Sequence, residues 1–214
     1  MDTPNSEVYA YAAGNQANSF MENGKYPEAT ELYPRAFEIF ERLDQNGYLD
    51  SVNIKDLSFY YQNMGISFRN MGDYTEAIRY YKKISELYKR LSYTEPNFFY
   101  NNYFNIGRAY ALLNIPDSAI SFYEKSRSAL SLERDPSEVQ LVSFDIYRRK
   151  AEAFHRMGEL DSALANAQKS LTLLQPNEAP YIKSSTYEIL GSILSSMGKW
   201  QEAEPYLLKS IKVL

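Results

Sequence analysis

One arrangement of residues recurs five times along the chain of 214 residues. Each copy has a mostly aromatic position, a small residue four positions later and an apolar residue three positions after that, and an alanine follows the small residue after twelve positions. The small residues are Ala17, Gly65, Gly107, Ala151 and Gly191, and the later alanines are Ala29, Ala77, Ala119, Ala163 and Ala203. Successive alanines are 48, 42, 44 and 40 residues apart. The spacing within each unit is therefore constant, and the length of the segment between units varies.

Spacings of three and four residues place side chains on one face of an α-helix. A small residue on such a face lets a second helix approach closely. Glycine inside a helix costs about 1 kcal/mol relative to alanine, so its recurrence at Gly65, Gly107 and Gly191 indicates a contact that needs the missing side chain.

A second set of glycines predicts where each first helix ends. Gly24, Gly72, Gly158 and Gly198 follow the apolar face at the position expected of a left-handed helix cap. The third copy has Asn114 there, and asparagine tolerates the same backbone conformation. Each unit is therefore predicted to be a helix pair, and because one pair cannot bury both of its faces, neighbouring pairs must stack.

These positions resemble the tetratricopeptide repeat (TPR) family, whose repeats combine an aromatic residue, a Leu-Gly pair, a Gly-x-Tyr turn and a later Ala-x3-Tyr. Residues 61–81 and 187–207 match this pattern best. The resemblance implies an all-α, right-handed α-solenoid of five helix-turn-helix repeats, with about ten helices in a single domain of residues 1–214. The repeats are predicted at about 6–45, 52–92, 97–132, 137–175 and 179–214, similar to long-repeat members of the kinesin light chain type.

Composition excludes several classes of function. The chain has no cysteine and one histidine, His155, which rules out thiolate zinc sites, iron–sulfur clusters, cysteine nucleophiles and multi-histidine metal sites. Nine glycines are too few for phosphate-binding loops, and a net charge of −4 disfavours nucleic-acid binding. No serine pairs with His155 in a recognisable motif. We therefore predict a non-enzymatic protein with no cofactor and no metal.

The sequence has no apolar run near the roughly 20 residues that a membrane-spanning helix needs. Its first seven residues lack the basic start and apolar stretch of a signal peptide. We expect a cytoplasmic protein without membrane insertion. A mature segment of an exported protein would have the same features.

The family resemblance also implies where a ligand binds, because the first helices of successive repeats line a concave groove for peptides or partner helices. Counting from the small residue, the resemblance implies that the positions two and six before it and one and four after it line this groove. The predicted peptide-binding residues are Tyr11, Asn15, Asn18, Phe59, Asn63, Asn101, Asn105, Arg108, Arg149 and Arg156. The file of Asn15, Asn63 and Asn105 is either ordinary family consensus or a ladder of amides that pairs with a peptide backbone.

Farther along the same predicted face the chain becomes basic. Arg108, Arg148, Arg149 and Arg156 cluster near His155, and arginine forks suit carboxylates or phosphates. Two carboxylates, Asp145 and Glu152, share the helix and can pair with the arginines at helical spacing. The cluster is therefore either self-neutralised surface or an anchor for an acidic ligand.

Two functions fit these observations. The first is a non-catalytic protein–protein interaction module that binds a peptide or partner helix. The second is a ligand-sensing regulatory arm of a larger bacterial transcriptional regulator or sensor kinase, since such proteins resemble this one in repeat length and in their Asp-Ser-Ala helix starts. The last helix carries Leu207, Leu208 and Ile211 with no helix after it, which makes self-association through the C-terminal helix a third expectation.

Overall fold

The computed structural model describes residues 4–90, 96–130, 135–175 and 177–212, and they fold into α-helices joined by short turns. The chain divides into two compact units, Met1–Glu95 and Pro96–Leu214. Unit 1 contains α1 (Pro4–Glu22), α2 (Tyr26–Gln45), α3 (Ser51–Met71) and α4 (Tyr74–Arg90). Unit 2 contains α5 (Pro96–Leu112), α6 (Pro116–Ala129), α7 (Pro136–Met157), α8 (Leu160–Leu173), α9 (Pro180–Ser196) and α10 (Trp200–Lys212).

Each odd-numbered helix packs against the even-numbered helix that follows it, and inside each unit one pair packs against the next. The all-α fold of consecutive helix pairs predicted from the sequence is confirmed, with ten helices in the described residues. The predicted helix ends are also confirmed. Gly24, Gly72, Gly158 and Gly198 have φ between +73° and +88°, and Asn114 has φ +58° at the equivalent turn.

The glycines inside the first helices leave room for a side chain of the second helix. A β-carbon built on Gly65 would lie 2.4 Å from the ring of Tyr81, and one on Gly107 would lie 2.7 Å from the ring of Tyr123. At Gly191 the nearest atom, 2.5 Å away, belongs to Leu207. The contact geometry predicted for these glycines is therefore present in the structure.

Aromatic rings fill the core of unit 1. Tyr33 and Phe40 are fully buried, and Phe37 lies 4.6 Å from the ring of Tyr61 and 6.1 Å from that of Tyr33. Such ring pairs add about 0.5–1.5 kcal/mol each to the free energy of burial. One contact was not predicted from the sequence: a β-carbon on Gly14 would lie 2.3 Å from the ring of Tyr60, so this glycine accommodates a tyrosine of the following pair.

Smaller side chains pack the core of unit 2. Ala163 and Ala167 of α8 form a buried cluster with Leu190 and Ile193 of α9, while Tyr123 of α6 packs with Ile146 of α7. Within the described residues, none of the helices combines the length and the apolar character needed to cross a membrane.

Candidate functional site

In unit 1, two of the predicted asparagines belong to a hydrogen-bond network inside the protein. Asn63 is buried and donates from Nδ2 to Oδ1 of Asn18 over 2.8 Å. The same oxygen accepts the hydroxyl of Tyr33, also over 2.8 Å. Burial raises the pKa of Tyr33, and a hydrogen bond with Asn63 offsets part of this rise. These amides hold α1, α2 and α3 together.

Two further predicted residues of unit 1 also make internal contacts. The hydroxyl of Tyr11 accepts a hydrogen bond from Asn53, and its ring packs edge-on against Phe40 with centroids 5.6 Å apart. Asn15 is exposed, and its Oδ1 accepts the hydroxyl of Tyr60 at 3.3 Å. Each of these two side chains thus already has a partner inside unit 1.

Phe59 is the predicted residue of unit 1 with the most exposed apolar surface. Its side chain is 48% exposed, and its ring centroid lies 6.4 Å from that of the adjacent Tyr60. It is therefore available for contact with another molecule.

The predicted asparagines of unit 2 are in a different situation. Asn101 is exposed and Asn105 is half-buried, and neither amide has a hydrogen-bond partner in the part of the chain that the structure describes. They lie four residues apart, which places them one turn apart on one face of α5. Arg108, half-buried, continues this face, and its guanidinium lies 6.0 Å from the ring centroid of Phe104.

A pocket of about 330 Å³ opens beside Asn101, between the first helices α5, α7 and α9. Its apolar walls come from all three helices: Tyr100, Phe104, Leu141, Val142, Phe144, Tyr181 and Ile182. Tyr100 and Phe144 are buried, whereas Leu141 and Tyr181 are exposed. The remaining wall is polar and is formed by Asp145, Arg148 and Arg149 of α7.

The polar wall belongs to a cluster of two arginines and two carboxylates, which also includes Glu152. Arg148 donates to Asp145 over 2.5 Å and to Glu152 over 2.8 Å. Arg149 donates to Glu152 over 3.2 Å, and its Nε lies 3.7 Å from a carboxylate oxygen of Asp145, too far for a hydrogen bond. Burial lowers the pKa of Arg149, but the charges of Glu152 and Asp145 outweigh it and hold the pKa above its ordinary value.

Tyr123 of α6 adds a buried hydroxyl to this cluster. The side chain is fully buried and its hydroxyl has no hydrogen-bond partner among the described residues. Burial raises the pKa of Tyr123, while the positive charge of nearby Arg149 lowers it and Glu152 raises it further. The hydroxyl therefore stays neutral at physiological pH.

Arg156 and His155, near the cluster, also make contacts inside unit 2. Arg156 is exposed and donates from Nη1 to the carbonyl oxygen of Ala111 over 2.8 Å, near the C-terminal end of α5, where a positive charge is favourable. His155 Nε2 lies 2.8 Å from the hydroxyl oxygen of Ser196. Because that hydroxyl donates to the carbonyl of Ser192, Nε2 is the donor to Ser196.

A comparison with family models identifies the family to which these helix pairs and turns belong. The model for the tetratricopeptide repeat matches residues 56–131 and 143–214. The chain belongs to the tetratricopeptide repeat family. Proteins with this repeat are commonly protein–protein interaction modules and are generally non-catalytic scaffolds. No curated protein matches the sequence.

Solved structures of other tetratricopeptide repeat proteins share the fold at low sequence identity. BtubC from P. vanneervenii superposes with a TM-score of 0.70 at 14% identity, covering 99% of this chain and 91% of that chain. A Podosopora anserina putative kinesin light chain with nearly identical TPR-like repeats gives 0.68 at 15%, covering 100% and 97%. MamA (41-end) from Desulfovibrio magneticus RS-1 gives 0.67 at 18%, covering 96% and 94%.

The apolar walls of the pocket were not among the residues predicted from the sequence of this tetratricopeptide repeat protein. A signal was present: Leu141 and Val142 lie ten and nine residues before the small residue of the fourth pair, and Tyr181 and Ile182 lie at the same two positions in the fifth. An apolar pair thus recurs in register near the start of two first helices. The described residues contain no group of three or more histidine, aspartate or glutamate side chains placed to hold a metal ion.

Proposed function

We propose that this tetratricopeptide repeat protein is an interaction module that binds an extended peptide of a partner protein across the first helices of unit 2. The observation that carries the proposal is an apolar pocket lined by Asn101, with Asn105 one helical turn away and neither amide hydrogen-bonded among the described residues. A binding site of this kind needs both features, because apolar contacts supply affinity and a few polar groups fix the orientation of the ligand.

The chemistry of the amides suits an extended backbone. Each asparagine offers one acceptor and two donors, so it can pair with both groups of a peptide unit without regard to the side chains. Because Asn101 and Asn105 lie one helical turn apart, they can engage successive parts of one bound chain. Arg108 continues the same face of α5.

Four of the five predicted residues of unit 1 support a different role. Asn18 and Asn63 hydrogen-bond to each other, and Tyr11 and Asn15 are engaged with Asn53 and Tyr60. At Asn63, and at the amide oxygens of Asn18 and Asn15, a ligand would compete with existing hydrogen bonds, each worth about 0.5–1.5 kcal/mol. Unit 2 requires no such loss at Asn101 and Asn105.

A selection from a random peptide library displayed on phage, with the whole chain as bait, tests this proposal. Selected peptides are expected to bind at least about fivefold more weakly to Asn101→Ala/Asn105→Ala, the usual effect of removing an interface residue that contributes about 1 kcal/mol. Asn15→Ala, at an exposed amide of unit 1, is the matched control and should leave the dissociation constant unchanged. Equal binding by the double variant, or selection of no peptide at all, would contradict the proposal.

The pocket also bears on the second function predicted from the sequence, a ligand-sensing regulatory arm of a larger bacterial regulator or sensor kinase. Its volume of about 330 Å³ falls in the range of small-molecule sites, roughly 300–1,000 Å³. A thermal-shift screen of small metabolites separates this function from peptide binding. A metabolite that stabilises the chain, and that Leu141→Ser no longer binds, would favour the sensing arm.

We further propose self-association through the outer face of α10. Trp200, Leu208 and Ile211 are exposed, and together with Leu207 and Ala203 they line a hollow of about 360 Å³. In α8 the positions equivalent to Ala203, Leu207 and Ile211 carry Ala163, Ala167 and Leu171. Ala163 and Ala167 belong to the buried cluster that includes Leu190 and Ile193 of α9, and Leu171 packs against that cluster. The outer face of α10 is therefore apolar at positions that are covered by the next helix pair in α8.

A further inference from the structure

Tyr33 in unit 1 and Tyr123 in unit 2 occupy the same repeat position, four residues after the alanine of their helices. Both side chains are fully buried. The hydroxyl of Tyr33 donates to Oδ1 of Asn18, and the amide of Asn63 donates to the same oxygen, each over 2.8 Å. The hydroxyl of Tyr123 has no hydrogen-bond partner in the described part of the chain. The two tyrosines therefore differ in whether an acceptor is present.

The repeat register explains this difference. Asn18 directly follows the small residue of its helix, and the equivalent residue for Tyr123 is Arg108. Asn63 lies two residues before the small residue of the next first helix, and its equivalent is Arg149. An asparagine amide has an oxygen that accepts hydrogen bonds, whereas a guanidinium group has only donors. At these positions unit 2 has donors where unit 1 has the acceptor of its network.

Several shielded donors of unit 2 lie in one cluster. Burial raises the pKa of Tyr123, and the positive charges of Arg149 and Arg108 lower it, so these charges are close to the hydroxyl. Arg149 donates to Glu152 over 3.2 Å, but its Nε is shielded from solvent and has no hydrogen-bond partner among the described residues. The same is true of Nε of Arg148. Buried donors without an acceptor are destabilising, more so when the group is charged.

The charges of this cluster favour an anion over a water molecule. It contains three arginines and two carboxylates, which are Arg108, Arg148, Arg149, Asp145 and Glu152, so one positive charge is left without a counterpart. A water molecule would accept from the free donors, but it would leave this charge unbalanced and bring two hydrogens that need acceptors of their own. A monovalent anion accepts hydrogen bonds, donates none and neutralises the cluster.

We propose that unit 2 binds a small monovalent inorganic anion, of the size of chloride, between the hydroxyl of Tyr123 and the guanidinium of Arg149. The anion takes the role that Oδ1 of Asn18 has in unit 1, because it accepts from the buried tyrosine and from the residue of the next first helix. Arg108, Tyr123 and Arg149 belong to α5, α6 and α7, so the bound anion stabilises the packing of these three helices. The inference goes beyond the proposed function and requires no peptide.

Thermal unfolding of the whole chain tests the inference when chloride replaces gluconate at constant ionic strength. Gluconate is the reference because it is also monovalent but is too large for a shielded site. Chloride is expected to raise the midpoint of thermal unfolding by at least about 2 °C, because an ion that binds only the folded chain stabilises it. The rise should grow with the chloride concentration. Equal midpoints in the two salts would overturn the inference.

A pair of tyrosine variants locates the effect. Tyr123→Phe removes the hydroxyl and keeps the ring, so its midpoint in gluconate should lie above that of the unmodified chain, and the rise with chloride should be lost. Tyr33→Phe is the matched control in unit 1. It should lower the midpoint in both salts, because it removes the hydrogen bond to Asn18, and it should keep the full rise with chloride. A rise that Tyr123→Phe retains would overturn the inference.

Arginine variants separate anion binding from general effects of salt. Arg108→Asn introduces the residue that unit 1 has at this position, and its amide oxygen can accept the hydroxyl of Tyr123. This variant should be at least as stable in gluconate as the unmodified chain and should not respond to chloride. Arg149→Gln should also abolish the response, whereas Arg127→Gln, at an exposed position outside the cluster, should keep it. Equal loss of the response in Arg149→Gln and Arg127→Gln would contradict a specific site.

The outcomes separate this inference from the proposed function. The chloride response is measured without any peptide. If phage selection yields no peptide but the response to chloride depends on Tyr123, the anion site stands and the interaction module is wrong. If selected peptides require Asn101 and Asn105 but chloride has no effect on the midpoint, the interaction module stands and the anion site is wrong.

Discussion

Asn63 and Asn105 occupy the same position in consecutive first helices, two residues before the small residue, but have different surroundings. Asn63 is buried and bonded to Asn18, which also accepts the hydroxyl of Tyr33. Asn105 is half-buried and its amide has no hydrogen-bond partner within the described residues. Asparagine at this repeat position therefore contributes to stability in unit 1, whereas in unit 2 it is available for recognition.

Separate alanine substitutions distinguish these roles. Asn63→Ala should lower the free energy of unfolding by about 1–2 kcal/mol, because it leaves buried polar groups of Asn18 and Tyr33 with fewer partners, and should not change peptide affinity. Asn105→Ala should leave the urea midpoint unchanged and weaken the binding of selected peptides. Urea unfolding and fluorescence anisotropy measure the two effects. An exchange of these results between the variants would contradict the assignment.

The buried tyrosines predict how stability depends on alkaline pH. Burial is the largest cause that raises the pKa of Tyr60 to about 12, and it also raises the pKa of Tyr33, Tyr61 and Tyr123. An unfolded tyrosine ionises near pH 10, so above that pH the unfolded chain loses protons that the folded chain keeps. The contribution of these tyrosines to the free energy of unfolding should be fully present below about pH 10 and should fall between about pH 10 and 12. A urea midpoint that rises over this interval would contradict the prediction.

At the level of helices and turns, the left-handed residue between paired helices can be tested without altering packing. Gly158 has φ +77°, and a β-carbon added there would meet nothing within 4 Å, so its substitution changes backbone strain alone. Gly158→Ala should cost about 1 kcal/mol, a fall of about 2–4 °C in the midpoint of thermal unfolding. Gly158→Asn should cost less, because Asn114 adopts φ +58° at the equivalent turn. Equal losses for the two variants would show that strain is not the cause.

Helices and turns were predictable from the sequence because their determinants are local. The repeat pattern identifies the positions of both Gly72 and Gly107. Gly72 adopts the left-handed conformation that ends α3, and Gly107 leaves room for the ring of Tyr123. The pocket was not predicted, because it depends on how the starts of three helices from separate pairs come together. The fate of each asparagine was also beyond local reasoning, since the partner of Asn63 lies 45 residues away in the sequence.

At the level of the whole molecule, the first and last helices present different outer faces. In the first helices α3, α5, α7 and α9, three positions are buried: five residues before the small residue, one residue before it and two residues after it. In α9 these positions hold Thr186, Leu190 and Ile193. The corresponding residues of α1 are Ala12, Gln16 and Ser19, which are small or polar and exposed. The apolar face of α10 thus has no complementary apolar face on α1 of a second copy. Self-association should therefore pair α10 with α10.

Light scattering coupled to size-exclusion chromatography tests this pairing. The chain should shift from a mass near 24.8 kDa toward twice that mass as its concentration rises. Leu208→Glu/Ile211→Glu should keep it monomeric, because two charges would be buried at a symmetric interface. The control Gln16→Leu, on the outer face of α1, should leave the transition unchanged. Ladders of species larger than a dimer would indicate head-to-tail contacts and contradict the α10 pairing.

The central claim, that recognition belongs to the first helices of unit 2, is tested most directly by mapping a bound peptide on the whole chain. A ¹H–¹⁵N correlation spectrum recorded with and without a peptide selected from the phage library reports each backbone amide separately. The largest shifts should fall on α5, α7 and α9, around Asn101, Leu141, Arg149 and Tyr181. Shifts concentrated on α1 and α3, or on the outer face of α10, would contradict it.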